Sequence, residues 1–339
     1  MTLKRQIIEE IADSGPIPFE RFMEIALYDP SGFFGGDILR SEKGGDFLTS
    51  PEVSPLFGET LAQYVRVVRE RIGDPFQVVE VAAGSGSLIR SLLKEIDVPA
   101  VAVEASPAAR SALSSLVPVS DELPESIRGI VIANELLDNL PMALAQCIDG
   151  EWRERWVGVD GHDLTFVDAD PRPDVLAWLA AYSGPIDDGG WVEVQLQARE
   201  WVADVLARIE AGAMLLFDYG DTAEGLARRR TDGTLRTYRA HHLGPHPLDE
   251  PGATDITADV DFSAFLDLHP SVRLHRQDDF LSSLGLRDRL SELRRSELAA
   301  ARDGDEIERL RLRTLKTQAE TLLHPRGLGD FRVLEFLVG

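Results

Sequence analysis

Val78-Val79-Glu80-Val81-Ala82-Ala83-Gly84-Ser85-Gly86-Ser87 is the stretch on which the reading of this chain turns. A short apolar strand, Val78 to Ala82, runs straight into a Gly-rich turn, and the pattern from Ser87 to Ile96 predicts a helix. Glycines in such a turn let the backbone approach a ligand closely, and the start of the following helix presents free amides. A dinucleotide-binding turn would carry a third glycine three residues after the second, but Ile89 stands there, so hydride-transfer chemistry loses ground. The next predicted strand, Pro99 to Glu104, ends on a carboxylate 18 residues beyond Gly86. Doubly wound folds place an acid there to accept hydrogen bonds from a ribose diol. Taken singly, Glu104 could merely cap a helix starting near Pro107, and the glycines could merely tighten a turn. Their joint occurrence at this separation favours a nucleoside site.

Outward from this stretch, strands and helices alternate: a helix from Pro107 to Leu116, a strand from Gly129 to Asn134, a helix from Gln197 to Ile209, and a strand from Ala213 to Asp218. Strands of continuous hydrophobes alternating with helices imply a parallel sheet covered on both faces. Between Met142 and Val167 the period changes to two, with Asp149-Gly150 and Asp160-Gly161 as turn signals, which predicts an inserted antiparallel meander. Upstream, helices over Leu3 to Ala12 and Pro18 to Leu27 form a lead-in, and Pro51 opens a helix running from Val53 to Ile72. Tyr28 to Ser50 and Arg228 to Asp261 read as long irregular segments, the kind that serve as lids or binding loops. Helices from Gln277 to Leu284 and from Leu286 toward Leu323, the latter broken near Gly304, precede a closing strand, Phe331 to Leu337.

The 339 residues are 44% hydrophobic, ample for a buried core. No run of about 18 apolar residues occurs, so no membrane span is expected. Cys147 is the only cysteine, which leaves no intrachain disulfide or cysteine zinc cluster and points to a cytoplasmic address. With 58 acidic against 35 basic residues the formal charge is −23, which repels phosphate backbones and argues against nucleic acid. The charge could serve solubility alone, or it could attract a cationic substrate such as an arginine-bearing segment.

After the fourth strand position comes Asn134-Glu135-Leu136-Leu137-Asp138-Asn139-Leu140-Pro141, a cluster of amides and carboxylates where open α/β sheets bind ligands. A solvated turn is the plainer alternative. Other chemistry finds little support. His241 and His242 are adjacent, and no His-x-x-x-His or His-Glu-x-x-His occurs, so no metal is assigned. Gly84-Ser85-Gly86-Ser87-Leu88 has leucine where a nucleophile turn ends in glycine.

These residues resemble the MidA-like family of protein arginine methyltransferases, which includes an assembly factor of mitochondrial respiratory complex I. The resemblance spans nearly the whole chain. It is carried by Tyr28-Asp29-Pro30-Ser31-Gly32-Phe33-Phe34, by Gly45-Asp46-Phe47-Leu48-Thr49-Ser50-Pro51-Glu52-Val53-Ser54, and by the stretches at Glu80 to Gly86, Glu104 to Pro107 and Asn134 to Pro141. Phe217-Asp218-Tyr219-Gly220, Asp255 to Phe262 and Gly329-Asp330-Phe331-Arg332-Val333-Leu334 continue it. It implies a class I methyltransferase-like, doubly wound, mostly parallel sheet with S-adenosyl-L-methionine as cofactor. Residues 1–75 would be a helical lead-in and lid, and 76–339 the methyltransferase domain, with insertions at 142–167 and 228–261. Glu80, Gly84, Ser85, Gly86, Glu104 and Asn134 would bind the cofactor, and Glu135 and Asp138 would be catalytic. Asp46, Thr49 and Glu52 would belong to the lid, although Thr49 or Ser50 could simply cap the helix at Pro51.

The implied reaction methylates a protein arginine. A small-metabolite methyltransferase and a non-catalytic S-adenosylmethionine-binding assembly protein are the rivals, and a homodimer is left open. Two departures from the family pattern stand out. Ala82 and Ala83 replace a usual glycine and a frequent proline, which is tolerable if the backbone at Ala82 has negative φ. Gly32-Phe33-Phe34 replaces Gly-Tyr-Tyr, removing two hydroxyls from the acceptor side.

Overall fold

The computed structural model describes residues 2–36, 49–228, 231–239 and 242–339. Its centre is a mixed seven-stranded sheet. We label its strands in chain order β1 (Gln77–Val81), β2 (Ala100–Val103), β3 (Val119–Ser120), β4 (Ile127–Asn134), β5 (Ile209–Asp218), β6 (Arg273–Arg276) and β7 (Arg332–Val338). Their spatial order is β6-β7-β5-β4-β1-β2-β3. Every pair from β5 to β3 is parallel, while β7 runs antiparallel to both β5 and β6. Strand order reverses between β1 and β4, so the chain leaves these two strands toward opposite sides and opens a crevice at their carboxyl ends.

Side chains alternate across the sheet, as a period of two requires. On one face Val78, Ile130, Ile132, Leu215 and Phe217 pack under the helices Leu56–Ile72, Leu286–Asp303 and Glu306–Leu322. On the other Val79, Val131, Ala133, Met214 and Leu216 meet the helices Pro173–Tyr182 and Leu196–Arg208. Burial on both faces explains why these strands are near-continuous hydrophobic runs.

A second sheet stands after β4. Its strands Ala143–Ile148, Glu151–Asp160 and Asp163–Ala169 form the expected meander, but Trp191–Val194 joins it as well, pairing with Ala143–Gln146. On its other side the two-residue strand Ile17–Pro18 of the lead-in pairs with Val157 and Trp156. Phe19, Phe22, Met23 and Phe33 of the lead-in share a core with Met142, Leu144 and Val157 of this sheet.

Two expectations are corrected. The helix opened at Pro51 does not run through to Ile72: it stops after Ser50–Val53 and restarts at Leu56. Ser54 precedes Pro55 and adopts φ −153°, ψ 134°, the extended conformation that the proline ring imposes on its predecessor. The segment from Arg228 to Asp261 is not irregular, since Arg236–Arg239, His242–Leu243 and Asp255–Thr257 form a three-stranded antiparallel sheet. Its strands are only two to four residues long, too short to show a period.

Candidate active site

At the end of β1 the chain turns left-handed three times, with φ +53° at Ala82, +51° at Gly84 and +75° at Gly86. Gly86 is favoured by its positive φ, and a Cβ there would lie 2.7 Å from Leu113 Cδ2, so that side chain would have to shift. Ala82 does not have the negative φ that would make alanine harmless. An L-residue in this region carries a cost of roughly 1–2 kcal/mol, which the family's usual glycine would avoid. Glu80 lies under the turn and accepts the Ile89 amide at 3.0 Å, tying strand to helix. Burial pushes its carboxyl up to about 8.

Glu104 closes the turn from the next strand, accepting the Gly84 amide at 2.9 Å and the Ser106 amide at 2.8 Å. It does not cap the following helix; Ser106 does that, accepting the Ala109 amide at 3.4 Å. Each Glu104 oxygen keeps a lone-pair site for a ligand.

Thr49 and Glu52 form the capping box of the helix Ser50–Val53, and Glu52 also accepts from the Ser85 hydroxyl at 3.1 Å. The cap and the site therefore coincide, because one carboxylate ends the helix and holds the Gly-rich turn. Asp46 lies outside the described residues.

Beyond β4, Asn134 donates its side-chain amide to Glu135 at 3.0 Å, while its own carbonyl oxygen is buried without a partner among the described residues. Glu135 also has positive φ, +53°, and its amide is held by the Phe217 carbonyl at 2.8 Å. Burial, then the neighbouring Asp138, pushes the Glu135 carboxyl up to about 8. Asp218, fully buried at the end of β5, shapes this loop by accepting the Leu137 amide at 2.9 Å and the Asp138 amide at 3.3 Å.

One cavity of about 350 Å³ gathers most of the expected residues. Thr49, Glu52, Glu80, Gly84, Ser85, Glu104, Asn134 and Glu135 line it; Gly86 and Asp138 are not among the lining residues. Asp138 instead accepts from the hydroxyls of Tyr219 and of Thr257, the latter at 2.7 Å, and its Oδ1 is buried without a partner among the described residues. Burial raises its pKa.

The sequence reading missed Asp121, Leu123 and Trp201, which line the same cavity; Tyr28 and Phe34, from the segment it read as a lid or binding loop, line it too. Asp121 follows β3, a two-residue edge strand with no periodic signal. Five lining residues are carboxylates, namely Glu52, Glu80, Glu104, Asp121 and Glu135, and no described lining residue is lysine, arginine or histidine. Such a wall suits a ligand carrying positive charge, and S-adenosylmethionine, with its sulfonium and ammonium, has that character. The volume falls in the range of small-molecule sites.

Comparison with known proteins agrees with this chemistry. Residues 57–272 match a family described as S-adenosyl-L-methionine-dependent methyltransferases. The chain is 31% identical to the rat mitochondrial protein arginine methyltransferase NDUFAF7 over 85% of its own length and 75% of the relative's. It is 29% identical to the fruit-fly homolog over 77% and 68% of the two lengths. A Burkholderia thailandensis methyltransferase-like protein, crystallised with S-adenosylhomocysteine, superposes with a TM-score of 0.87 at 29% identity, covering 99% of this chain and 91% of that one. Both curated relatives are mitochondrial by name, and this overturns the expectation of a cytoplasmic address. A single cysteine can form no intrachain disulfide in any compartment, so it does not distinguish one from another.

Proposed function

Since the chain belongs to the family of S-adenosyl-L-methionine-dependent methyltransferases, we propose that its methyl acceptor is an arginine of a protein substrate. The carrying observation is the cluster of Glu135, Asp138 and Asp218 at the ends of β4 and β5. All three have raised pKa values, and burial is the first cause in each. Arg236, over the Tyr219 ring, offsets part of the cost at Asp138, yet burial still raises all three carboxyls, which are costly unless they stay neutral or a further cation arrives. A substrate guanidinium is such a cation, and the arginine activity in the relatives' names agrees with it.

The bound cofactor supplies a methyl group activated on a sulfonium. We assign the chain's own residues as follows. Glu104 accepts from the ribose diol, and Asp121 and Leu123 flank the nucleobase. The Gly84-Ser85-Gly86 turn, braced by Glu52, admits the amino-acid portion, and the free carbonyl oxygen of Asn134 accepts a proton donor at the reactive end. Glu135 orients the guanidinium and takes its proton. A guanidinium with pKa above about 12 is a poor nucleophile until deprotonated, and a carboxylate of pKa near 8 is a stronger base than an ordinary one. The new N–C bond forms as the S–C bond breaks, and the proton leaves through Glu135 to solvent. Asp138, behind the cavity wall, holds Tyr219 and Thr257 and adds negative potential to the same place.

The reading extends to architecture. We take the seven-stranded sheet as the doubly wound class I methyltransferase fold, with 1–75 as lead-in and lid and 76–339 as the catalytic domain. Pairing of Trp191–Val194 extends the first insertion to Val194.

Incubation with methyl-labelled cofactor and arginine-centred peptides, followed by hydrolysis, should recover label in methylarginine. Label confined to lysine, or to small molecules from a metabolite extract, would refute an arginine acceptor.

A further inference from the structure

The helix Ser50–Val53 is only four residues long, too short to hold itself in place, yet it bridges the Gly-rich turn and Glu135. Glu52 ties it to the Ser85 hydroxyl at 3.1 Å. At its start the Ser50 amide is one of those that a helix leaves without an intrahelical partner. The Glu135 carboxylate accepts from the Ser50 backbone, and from the Asn134 side chain at 3.0 Å.

The Ser50 side chain is fully buried and meets an equally buried partner, Gln277, 227 residues further along the chain. Gln277 Nε2 donates to Ser50 Oγ at 3.1 Å, and Oε1 lies 3.5 Å from the same oxygen, so either orientation of the amide reaches the serine. Gln277 opens the helix Gln277–Ser283 directly after β6, and its backbone amide donates to the Phe331 carbonyl at 2.8 Å, just ahead of β7. β7 pairs with β5, whose Phe217 carbonyl holds the Glu135 amide at 2.8 Å. The backbone of Glu135 and the donor on its carboxylate are therefore both fixed relative to one sheet. At the helix's other end Ser54 donates its hydroxyl to Gln318 at 3.2 Å. Two glutamines thus pin this short helix, and the one at the Ser50 end pins the residue that touches Glu135.

We infer that Gln277 is a positioning residue for Glu135, holding Ser50 so that its amide stays on the Glu135 carboxylate; the inference rests on the proposed role of Glu135 as base. Gln277 does not line the cavity, so it acts only through Ser50. Asp138, Asp218 and Glu52 are carboxyl neighbours of Glu135, and all three disfavour a further negative charge. Donors aimed at the carboxylate oppose them, each favouring the ionised form by roughly one pH unit. A slack Ser50 would leave the base protonated over a wider pH range.

Carbon-13 NMR of labelled glutamate carboxyls reads the titration of Glu135 directly, as the resonance missing from Glu135→Gln. In Gln277→Leu its midpoint should rise by about one pH unit. Ser50→Ala, which removes the partner instead, should raise it comparably, with no further rise in the double variant, because both act through one contact. Gln318→Leu, which loosens the other end of the same helix, should leave the midpoint in place. On arginine-centred peptides the kcat/KM limb should move with the resonance, lowering the value at pH 7 about tenfold in Gln277→Leu. An unmoved midpoint in Gln277→Leu, or an equal rise in Gln318→Leu, overturns the inference. If Gln277→Leu does not fold, Ser50→Ala decides, and an unmoved midpoint there overturns it. A resonance that shifts while kcat/KM keeps its wild-type limb sinks Glu135 as base and keeps Gln277 as its holder. A limb that is lost in Glu135→Gln, with the resonance unmoved in Gln277→Leu, does the reverse.

Discussion

The side-chain amide of Asn134 donates to the Glu135 carboxylate at 3.0 Å, so the residue ending β4 aims the residue proposed as base. Among the described residues neither side chain hydrogen-bonds the Gly-rich turn, and the nucleoside end is shaped separately by Glu104. Glu135→Gln should therefore reduce turnover by about a hundredfold to ten-thousandfold, the usual loss for a positioned acid–base group. Cofactor affinity measured by calorimetry should hold. Near-normal turnover would remove Glu135 from the mechanism, and loss of cofactor binding would move it to the cofactor site.

Rate and stability should respond to pH in opposite directions. Glu135 must be ionised to accept a proton, and burial has pushed it up to about 8, so kcat/KM should rise with pH through about 8. Glu80 and Glu135 both titrate higher in the folded chain than in the unfolded one. Their contribution to stability is then complete below the ordinary carboxylate range and declines as pH rises toward about 8. Glu135→Gln should abolish the rate limb, and Glu80→Gln should flatten the stability profile while leaving that limb in place. A rate limb at pH 4 to 5, ~the unperturbed carboxylate range, would contradict the assignment.

Glu104 combines two roles, holding the Gly84 and Ser106 amides and offering acceptors to a diol. Glu104→Ala should weaken S-adenosylhomocysteine binding by about 1.5–3 kcal/mol, the range for hydrogen bonds to a charged group. The thermogram of the variant decides it, and an unaltered affinity would leave Glu104 as a turn clamp only.

Ala82 at φ +53° occupies a conformation that glycine adopts freely. Ala82→Gly should stabilise the chain by about 1 kcal/mol, the left-handed penalty less the added backbone entropy of glycine. Urea unfolding with an unchanged slope and a higher midpoint is the expected result; a lower midpoint would mean that the alanine methyl contributes more by packing than it costs in strain.

How much of this was legible in the sequence follows from where the signals are physical. β1, β4 and β5 were visible because burial on both faces makes them apolar runs, and the Gly86-to-Glu104 spacing pointed to the site for the same topological reason. β6, reading Arg-Leu-His-Arg at a sheet edge, has two arginines that hid it, and β3 is too short for any period. Asp121 was lost with β3, and Trp201 is a partly buried residue of a helix that packs on the central sheet, with no local signal that it faces the cavity. The direction of Asp138 was also out of reach. Neighbours in sequence, it and Glu135 diverge because Asp218 folds the loop between them, a contact across 80 residues that no local pattern encodes.

The pairing of Ile17–Pro18 with Val157 and Trp156 bears on how the molecule is made. On the ribosome the lead-in emerges before its partner strand, which appears only after β1 through β4 have been synthesised. Phe19, Phe22 and Phe33, fully buried in the finished protein, can meet Leu3, Ile7 and Ile11 of the preceding helix during that interval but not Met142, Leu144 and Val157. Contacts between distant segments form late because loop closure must precede them. Pulse-labelled hydrogen exchange during refolding should find the amides of the helix Phe19–Tyr28 protected after those of β1 and β4. Residues translated ahead of the central sheet would thus be among the last to settle, acting as the seal on an assembly whose centre is already in place.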